Sequence, residues 1–574
     1  MSAPSETIVT AGLRPDLLGH LHPRSFKRSS LALLLGALVL FGLAFRAAGL
    51  GAEGFSEDEL NKLHAVEDYR ENGLTSANGE HPMLMKAILT LSLAAADFWN
   101  SLPPATAHPE ALRVSPEAAL RFPSALFGAL TAVLIYLIAA ELFGAEVALV
   151  AAALWAFDPT AIGMNRIAKE DSFFVFFFLL ANFFWLRSQR LTEGGSDRSP
   201  APYYWATGAA FGAMLASKYM LQFIAVSVSY NFVFQGLPHR RWRIGRPRYL
   251  QIFVCMGVVF LLCNPAILLP DTWRKMSAFA SYKLMAHDSY EFMGRLYSHK
   301  LTDWFRGTPW YFFPLFTLVK HPALTVAAFV AGLPQLFRRK AGDGRYFILF
   351  WLFIWALTFI PTGGKFARYY TTVLPCVFVA AAVGIEYASG FVARQLAPAF
   401  RGAGGSSGLA YPRLVLIALV LLSSGVASAK VAPHYRLYLN LFGGGAARAG
   451  DYFPHDEFYD ASVRDAVSEI ARRARPGARI ASETARLTDY YADRVGRLDI
   501  ESVSLSDPAE VKGLQPGDFI IAARGRRYYS NEALLSALEH SAAPAFSVSL
   551  GETRAIDVYA LDDSTIELVR GQAR

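Results

Sequence analysis

Long apolar runs constrain this chain more than any other feature of its sequence. Runs of roughly 18 residues or more are long enough to cross a bilayer as helices. Eleven can be read, near 29–45, 119–141, 147–164, 172–187, 203–218, 219–235, 249–268, 310–334, 345–360, 369–388 and 412–431. With 53% hydrophobic and 18% charged residues, the chain is less polar than a soluble domain. It is expected to be a polytopic α-helical membrane protein. The cysteines, Cys255, Cys263 and Cys376, all lie in apolar runs, with no disulfide or zinc spacing. The first run lacks a small-residue cleavage site after it and reads as an uncleaved anchor.

The net charge of +8 does not point to nucleic acid, because the arginines cluster in short loops between runs. Charge asymmetry then orders the topology. The tail, residues 1–28, carries Arg14, Arg24, Lys27 and Arg28 and is expected to be cytoplasmic. A further apolar run, 83–100, is short and holds Lys86 and Asp97. If it lies on the membrane without crossing, the loops bearing Arg187, Arg190 and Arg198, then Arg240 to Arg248, then Arg338 to Arg345 all fall inside. The catalytic module is expected over 29–431, with outer loops 46–118 and 269–309. The second of these carries basic residues among Tyr282, Tyr290, Tyr297 and Trp304. That mixture suits anionic headgroups, or an ordinary solvated loop with an interfacial aromatic belt.

Residues 432–574 change character. Helical patterns at Val463–Ala474 and Asn531–His540 alternate with short strand-like runs at 479–481, 519–523 and 555–560. A small α/β domain outside the membrane is expected there. Gly443-Gly444-Gly445 reads as its linker, and Gly402–Gly408 as a flexible cytoplasmic loop.

Four constellations carry chemistry. Glu57-Asp58-Glu59 follows the first run. Like charges raise one another's proton affinity, which suits a general base; equally, acidic residues cap a helix N-terminus. Glu80-His81-Pro82 leads to Lys86, one turn into a helix opened by proline, where a phosphate is favoured; the lysine can also simply snorkel. Asn165-Arg166-Ile167-Ala168-Lys169-Glu170-Asp171 is a short outer loop, with Asp171 either a helix cap or a ligand for a divalent metal or a lysine. Lys218, Lys365 and Arg368 interrupt apolar surroundings on the same outer side, where ionisable groups are functional or snorkel.

In this order, the segments resemble the GT-C membrane glycosyltransferases, above all the protein O-mannosyltransferase and lipid A aminoarabinose transferase families. The resemblance runs over about residues 29–440. It rests on the acidic pair Asp58-Glu59, His81-Pro82-x-x-x-Lys86, Arg121-Phe122-Pro123, Arg166-Ile-Ala-x-x-Asp171, Ser217-Lys218, Gly307-Thr308-Pro309-Trp310, Lys365-Phe-Ala-Arg368-Tyr369 and Pro433-His434-Tyr435. It implies a polyprenyl-phosphate sugar donor used at the outer face of a bacterial inner membrane, with inversion at the anomeric carbon. It implies Asp58 as catalytic base with Glu59 beside it. Lys86, Arg166, Lys218, Lys365 and Arg368 would bind the donor phosphate, supported by Glu57, Glu80, His81 and Asp171. A divalent metal held by Asp58 and Asp171 is a further implication. This chain departs from the family pattern at Met83, at Lys169-Glu170 and in its extra carboxylate Glu57, which leaves Glu57 as a second candidate for the base. The acceptor is a protein hydroxyl, lipid A or another envelope glycan, and membrane lipids are the surrounding partners. A transporter or flippase of a lipid-linked sugar is the alternative reading; it would place charges deep in the spans and broken helices in matched halves.

Overall fold

Every apolar run of the sequence is helical. The computed structural model describes residues 28–193, 198–235, 246–281, 287–396 and 410–572. The basic tail before residue 28, Arg240, Arg241 and Arg243, Tyr282 and Gly402–Gly408 lie outside the described residues. Three helices lead in: α1 (Arg28–Ala47), α2 (Glu57–Asn72) and α3 (Met83–Ser101), the last covering the 83–100 run. Proline splits two runs into pairs of α-helices. One becomes Ala145–Phe157 and Pro159–Met164, the other Phe312–Lys320 and Ala323–Gly332. Among the described residues, five helices are long and apolar enough to cross a membrane, and the other apolar helices are shorter.

Small residues let the helices approach closely. A side chain on Gly208 would meet the Ile252 carbonyl oxygen at 2.6 Å, and one on Gly212 the Met256 carbonyl oxygen at 2.6 Å. This Gly-x-x-x-Gly face seats the helix Ala201–Ser217 on Arg246–Cys263. Gly332 and Gly384 do the same where Ala323–Gly332 crosses Leu374–Leu396, each facing a backbone carbonyl of the other helix.

The segment 269–309 contributes a hairpin, β1 (Ser289–Phe292) and β2 (Arg295–Ser298). Its turn, Met293-Gly294, has positive φ at both residues, as a tight two-residue hairpin requires. Tyr290 does not belong to an interfacial belt: it is buried among Phe312, Phe366 and His455. Trp304 is exposed.

The C-terminal region forms a five-stranded sheet of β3 (Arg479–Ser482), β4 (Glu501–Ser504), β5 (Phe519–Ala523), β6 (Phe546–Leu550) and β7 (Thr553–Ala560), in the order β4-β3-β5-β7-β6. β3 runs parallel to β4 and β5, and β7 antiparallel to β5 and β6. One apolar core joins this unit to the segment 46–118. Phe55, Leu60 and Leu63 pack with Met85 and Leu89 of α3 and with Val463, Val467, Ile480 and Val558. Backbone and side-chain bonds stitch the same seam: Gly54 N–H donates to the Ala461 carbonyl at 2.9 Å, and the Tyr491 hydroxyl donates to Glu117 at 3.1 Å.

Candidate active site

Ser56 caps α2 through a capping box, its hydroxyl accepting the Glu59 N–H and its own N–H donating to Glu59 Oε2 at 3.0 Å. Glu57, Asp58 and Glu59 are therefore the first three helical residues. Successive side chains diverge by about 100° around a helix. The three carboxylates accordingly leave in three directions and each meets its own cation.

Glu59 points inward and is fully buried. Arg121 donates to both of its oxygens, at 2.8 and 2.6 Å, and the Ala168 N–H to Oε1 at 2.9 Å. Arg121 also reaches the carbonyls of Leu50, Glu53 and Gly54. Burial pushes the Glu59 carboxyl up, but Arg121 and the N–H donors outweigh it and hold it below its ordinary value. Its lone pairs are committed to holding loops together. Glu57 turns toward the C-terminal unit, with Arg526 at 3.3 Å and His287 at 3.9 Å. Burial raises its carboxyl above the ordinary value.

Asp58 faces the centre of the cluster. Its Oδ2 lies 2.8 Å from Lys169 Nζ and 3.3 Å from Arg368, and accepts the Tyr459 hydroxyl at 3.0 Å. Its side chain is 35% exposed, whereas Lys169 is 3% exposed, so the carboxylate opens outward and its cation lies behind it. Burial works to raise the Asp58 carboxyl, yet Lys169 and Arg368 leave it well below its ordinary value. Mutual repulsion among the triplet is thus overridden at this residue, and Asp58 is an ionised acceptor near neutral pH.

The start of the helix Glu170–Glu193 and the residue before it supply the rest. Lys169 goes to Asp58, Glu170 to Lys62 at 2.8 Å and His81 at 3.5 Å, and Asp171 to Lys218 at 2.6 Å. Lys218 lies over the Tyr369 ring at 5.2 Å, and Arg368 over Phe366 at 4.0 Å. Burial drives the His81 imidazole well below its ordinary value, so it is neutral. Glu80 accepts from the Asn78 amide on the turn before α3.

Three lysine and arginine candidates stand apart from this cluster. Lys86 Nζ donates to the carbonyls of Ala77, Asn78 and His81, at 3.1, 2.7 and 3.1 Å, using all three ammonium donors. Arg166 donates to the carbonyls of Phe45, Arg46, Ala48 and Gly49 and so closes the C-terminal end of α1. Lys365 is buried and donates to the Thr308 and Thr362 carbonyls. Burial lowers it to about 8.

The metal reading meets a poor donor set. The Asp58 oxygen carries two cations and a hydroxyl, and Asp171 Oδ1 carries Lys218. Asp171 Oδ2 is a buried oxygen without a hydrogen-bond partner, but the ammonium groups of Lys169 and Lys218 already sit against the two carboxylates, where a divalent ion would have to approach. No group of three or more His, Cys, Asp or Glu able to hold a metal occurs among the described residues.

Sequence reasoning gave Lys169 no role and passed over Lys62, Tyr459, Asp460 and Arg526. Lys169 had a signal, as one of the two charged residues at which the motif 165–171 departs from the family pattern. Tyr459 and Asp460 had none: they come from a distant turn, with φ of 48° and 60°. That left-handed backbone is uncommon for non-glycine residues and clusters at functional sites. Here it aims Tyr459 at Asp58 and Asp460 at Arg526.

The model of the dolichyl-phosphate-mannose-protein mannosyltransferase family matches residues 110–268, which is less than half of the chain. That stretch includes Arg121, Arg166, Lys169 to Asp171 and Lys218. The chain resembles this glycosyltransferase family there, while Asp58 and Arg368 lie outside the match. No match was found among the curated proteins. Among solved structures, ArnT from Cupriavidus metallidurans in the apo state is 15% identical, covers 95% of this chain and 99% of its own, and superposes with a TM-score of 0.49. The same protein bound to undecaprenyl phosphate is 14% identical over 93% and 98%, with a TM-score of 0.47. The apo oligosaccharyltransferase from Archaeoglobus fulgidus is 11% identical over 87% and 70%, with a TM-score of 0.47.

Proposed function

We propose that this chain is an inverting glycosyltransferase that moves a sugar from a polyprenyl-phosphate carrier to an envelope acceptor at the outer face of a bacterial inner membrane. The observation that carries the reading is Asp58, a partly exposed, ionised carboxylate set against buried cations. In the reaction its free oxygen takes the proton of the acceptor hydroxyl as that oxygen attacks the anomeric carbon. The bond from the anomeric carbon to the carrier's phosphate oxygen breaks on the opposite side, so the configuration inverts. Arg368 and Lys218 meet the charge that develops on the departing phosphate. Lys86, Arg166 and Lys365 act one layer back by holding the loops that carry these groups. In this reading the N-terminus lies inside and residues 432–574 outside, which the charge asymmetry of the loops supports.

The test is Asp58→Asn, expressed in the parent strain lacking the gene. Mass spectrometry of envelope lipids, glycans and proteins should show one glycoform restored by the wild type and absent with the variant, while the two proteins melt at similar temperatures. A variant that restores the glycoform at near-normal levels removes Asp58 as the base.

A further inference from the structure

Lys169 stands where no sequence pattern asked for a charge. Its ammonium is buried between two acidic segments, 2.8 Å from Asp58 of α2 and 4.0 Å from Glu170, the first residue of the following helix. Behind it, Lys62 pairs with Glu170, and on either side Arg368 and Lys218 pair with Asp58 and Asp171. Four fixed cations thus face three carboxylates, so the cluster already carries surplus positive charge. Adding a divalent ion would set two more charges beside buried ammonium groups, in a medium where such repulsion is weakly screened. The chain also fixes Lys169 locally. Its N–H donates to the Ile167 carbonyl at 2.9 Å, and the next N–H along the preceding loop, that of Ala168, is bound by Glu59.

We propose that Lys169 is the resident cation of this site: its ammonium does for Asp58 and Glu170 what a divalent metal does in a metal-dependent transferase, and the reaction of this chain requires no metal. Lys169 keeps the Asp58 carboxylate aimed at the opening and supplies charge next to the departing phosphate. The inference rests on the glycosyl-transfer reading for its activity measurement and on the ion pairs alone for its binding measurement.

The binding measurement titrates manganese(II) into the purified full chain and follows free manganese by electron paramagnetic resonance. All of it is expected to stay free. In membranes carrying the full chain, formation of the glycoform is expected to survive EDTA. Lys169→Ala should lower it by about 10²- to 10³-fold, the scale for loss of one charge-stabilising donor. Added ethylammonium should restore part of that loss, which a merely structural role would not allow. Stoichiometric manganese binding by the wild type, loss of transfer on chelation with recovery on adding manganese, or full activity of Lys169→Ala would each overturn the proposal. If Lys169→Ala does not fold, the manganese and EDTA results on the wild type still decide it. If wild-type membranes form no glycoform, the function reading falls, and the manganese titration still judges the cation.

Discussion

Adjacent carboxylates on α2 have opposite fates because a helix turns each to a different neighbour. Glu59 is a structural anchor. Burial pushes its carboxyl up and Arg121 pulls it further down, below the ordinary 4.5. A carboxyl depressed on folding adds stability above its unfolded value and loses it as pH falls through the folded value. Glu59→Gln should therefore cost about 3–5 kcal/mol, the scale for breaking a buried pair, and should blunt the chain's acid sensitivity below about pH 4.5. Denaturation in detergent across pH measures both. Tyr459 acts on Asp58 by donating to the charged form. Removing such a bond is worth about 1.5–3 kcal/mol, so Tyr459→Phe should raise the Asp58 value and move the acid limb of kcat/KM upward by about one pH unit or more. An unchanged limb would separate Tyr459 from the base. Asp58 was legible in the sequence as part of an acidic cluster, Asp171 as the end of a charged loop motif, and Lys218 and Arg368 because each interrupts an apolar surrounding. The partners of Asp58 were less so. Lys169 stood in a recognised loop with its neighbours drawing the attention, and Tyr459 arrives from 401 residues away through a backbone turn that carries no composition signal.

Among the elements, periodicity revealed what was apolar and missed what was small or polar. The helices stand where the apolar runs are. The strands β3, β5 and β7 were readable as apolar stretches, but β4 (Glu-Ser-Val-Ser) and β6 (Phe-Ser-Val-Ser-Leu) were not. Both are edge strands with one face toward solvent, and serine at alternate positions hides them. The close helix crossings escaped notice for a related reason, since they depend on the absence of side chains. Gly384→Val would force a branched side chain against the Ala328 carbonyl. Overpacking of this kind typically costs about 1–3 kcal/mol, and a backbone clash stands at the upper end. The expected readout is a lower melting temperature with loss of folded protein after detergent extraction, while the same change at Gly36, which has open space around it, should be silent.

For the whole molecule, the proposed orientation places the cluster and the sheet on one side of the membrane and the loop between Leu333–Phe337 and Arg345–Phe359 on the other. In a background with Cys255, Cys263 and Cys376 replaced by serine, a single cysteine at Ser564 should react with a membrane-impermeant maleimide in osmotically opened cells whose inner membrane is intact. One at Lys340 should react only after that membrane is permeabilised. Labelling in the reverse order would invert the topology. The contact of Asp58 with Tyr459 also sets a timetable for the molecule's assembly. A ribosome adding about 5–20 residues per second needs roughly 20–80 s to cover the 401 residues between them. For that interval the acidic turn waits without its tyrosine, and Glu57 waits longer for Arg526. The centre therefore forms only as synthesis ends, and a chain cut short by a premature stop carries the acid without the groups that hold it in place.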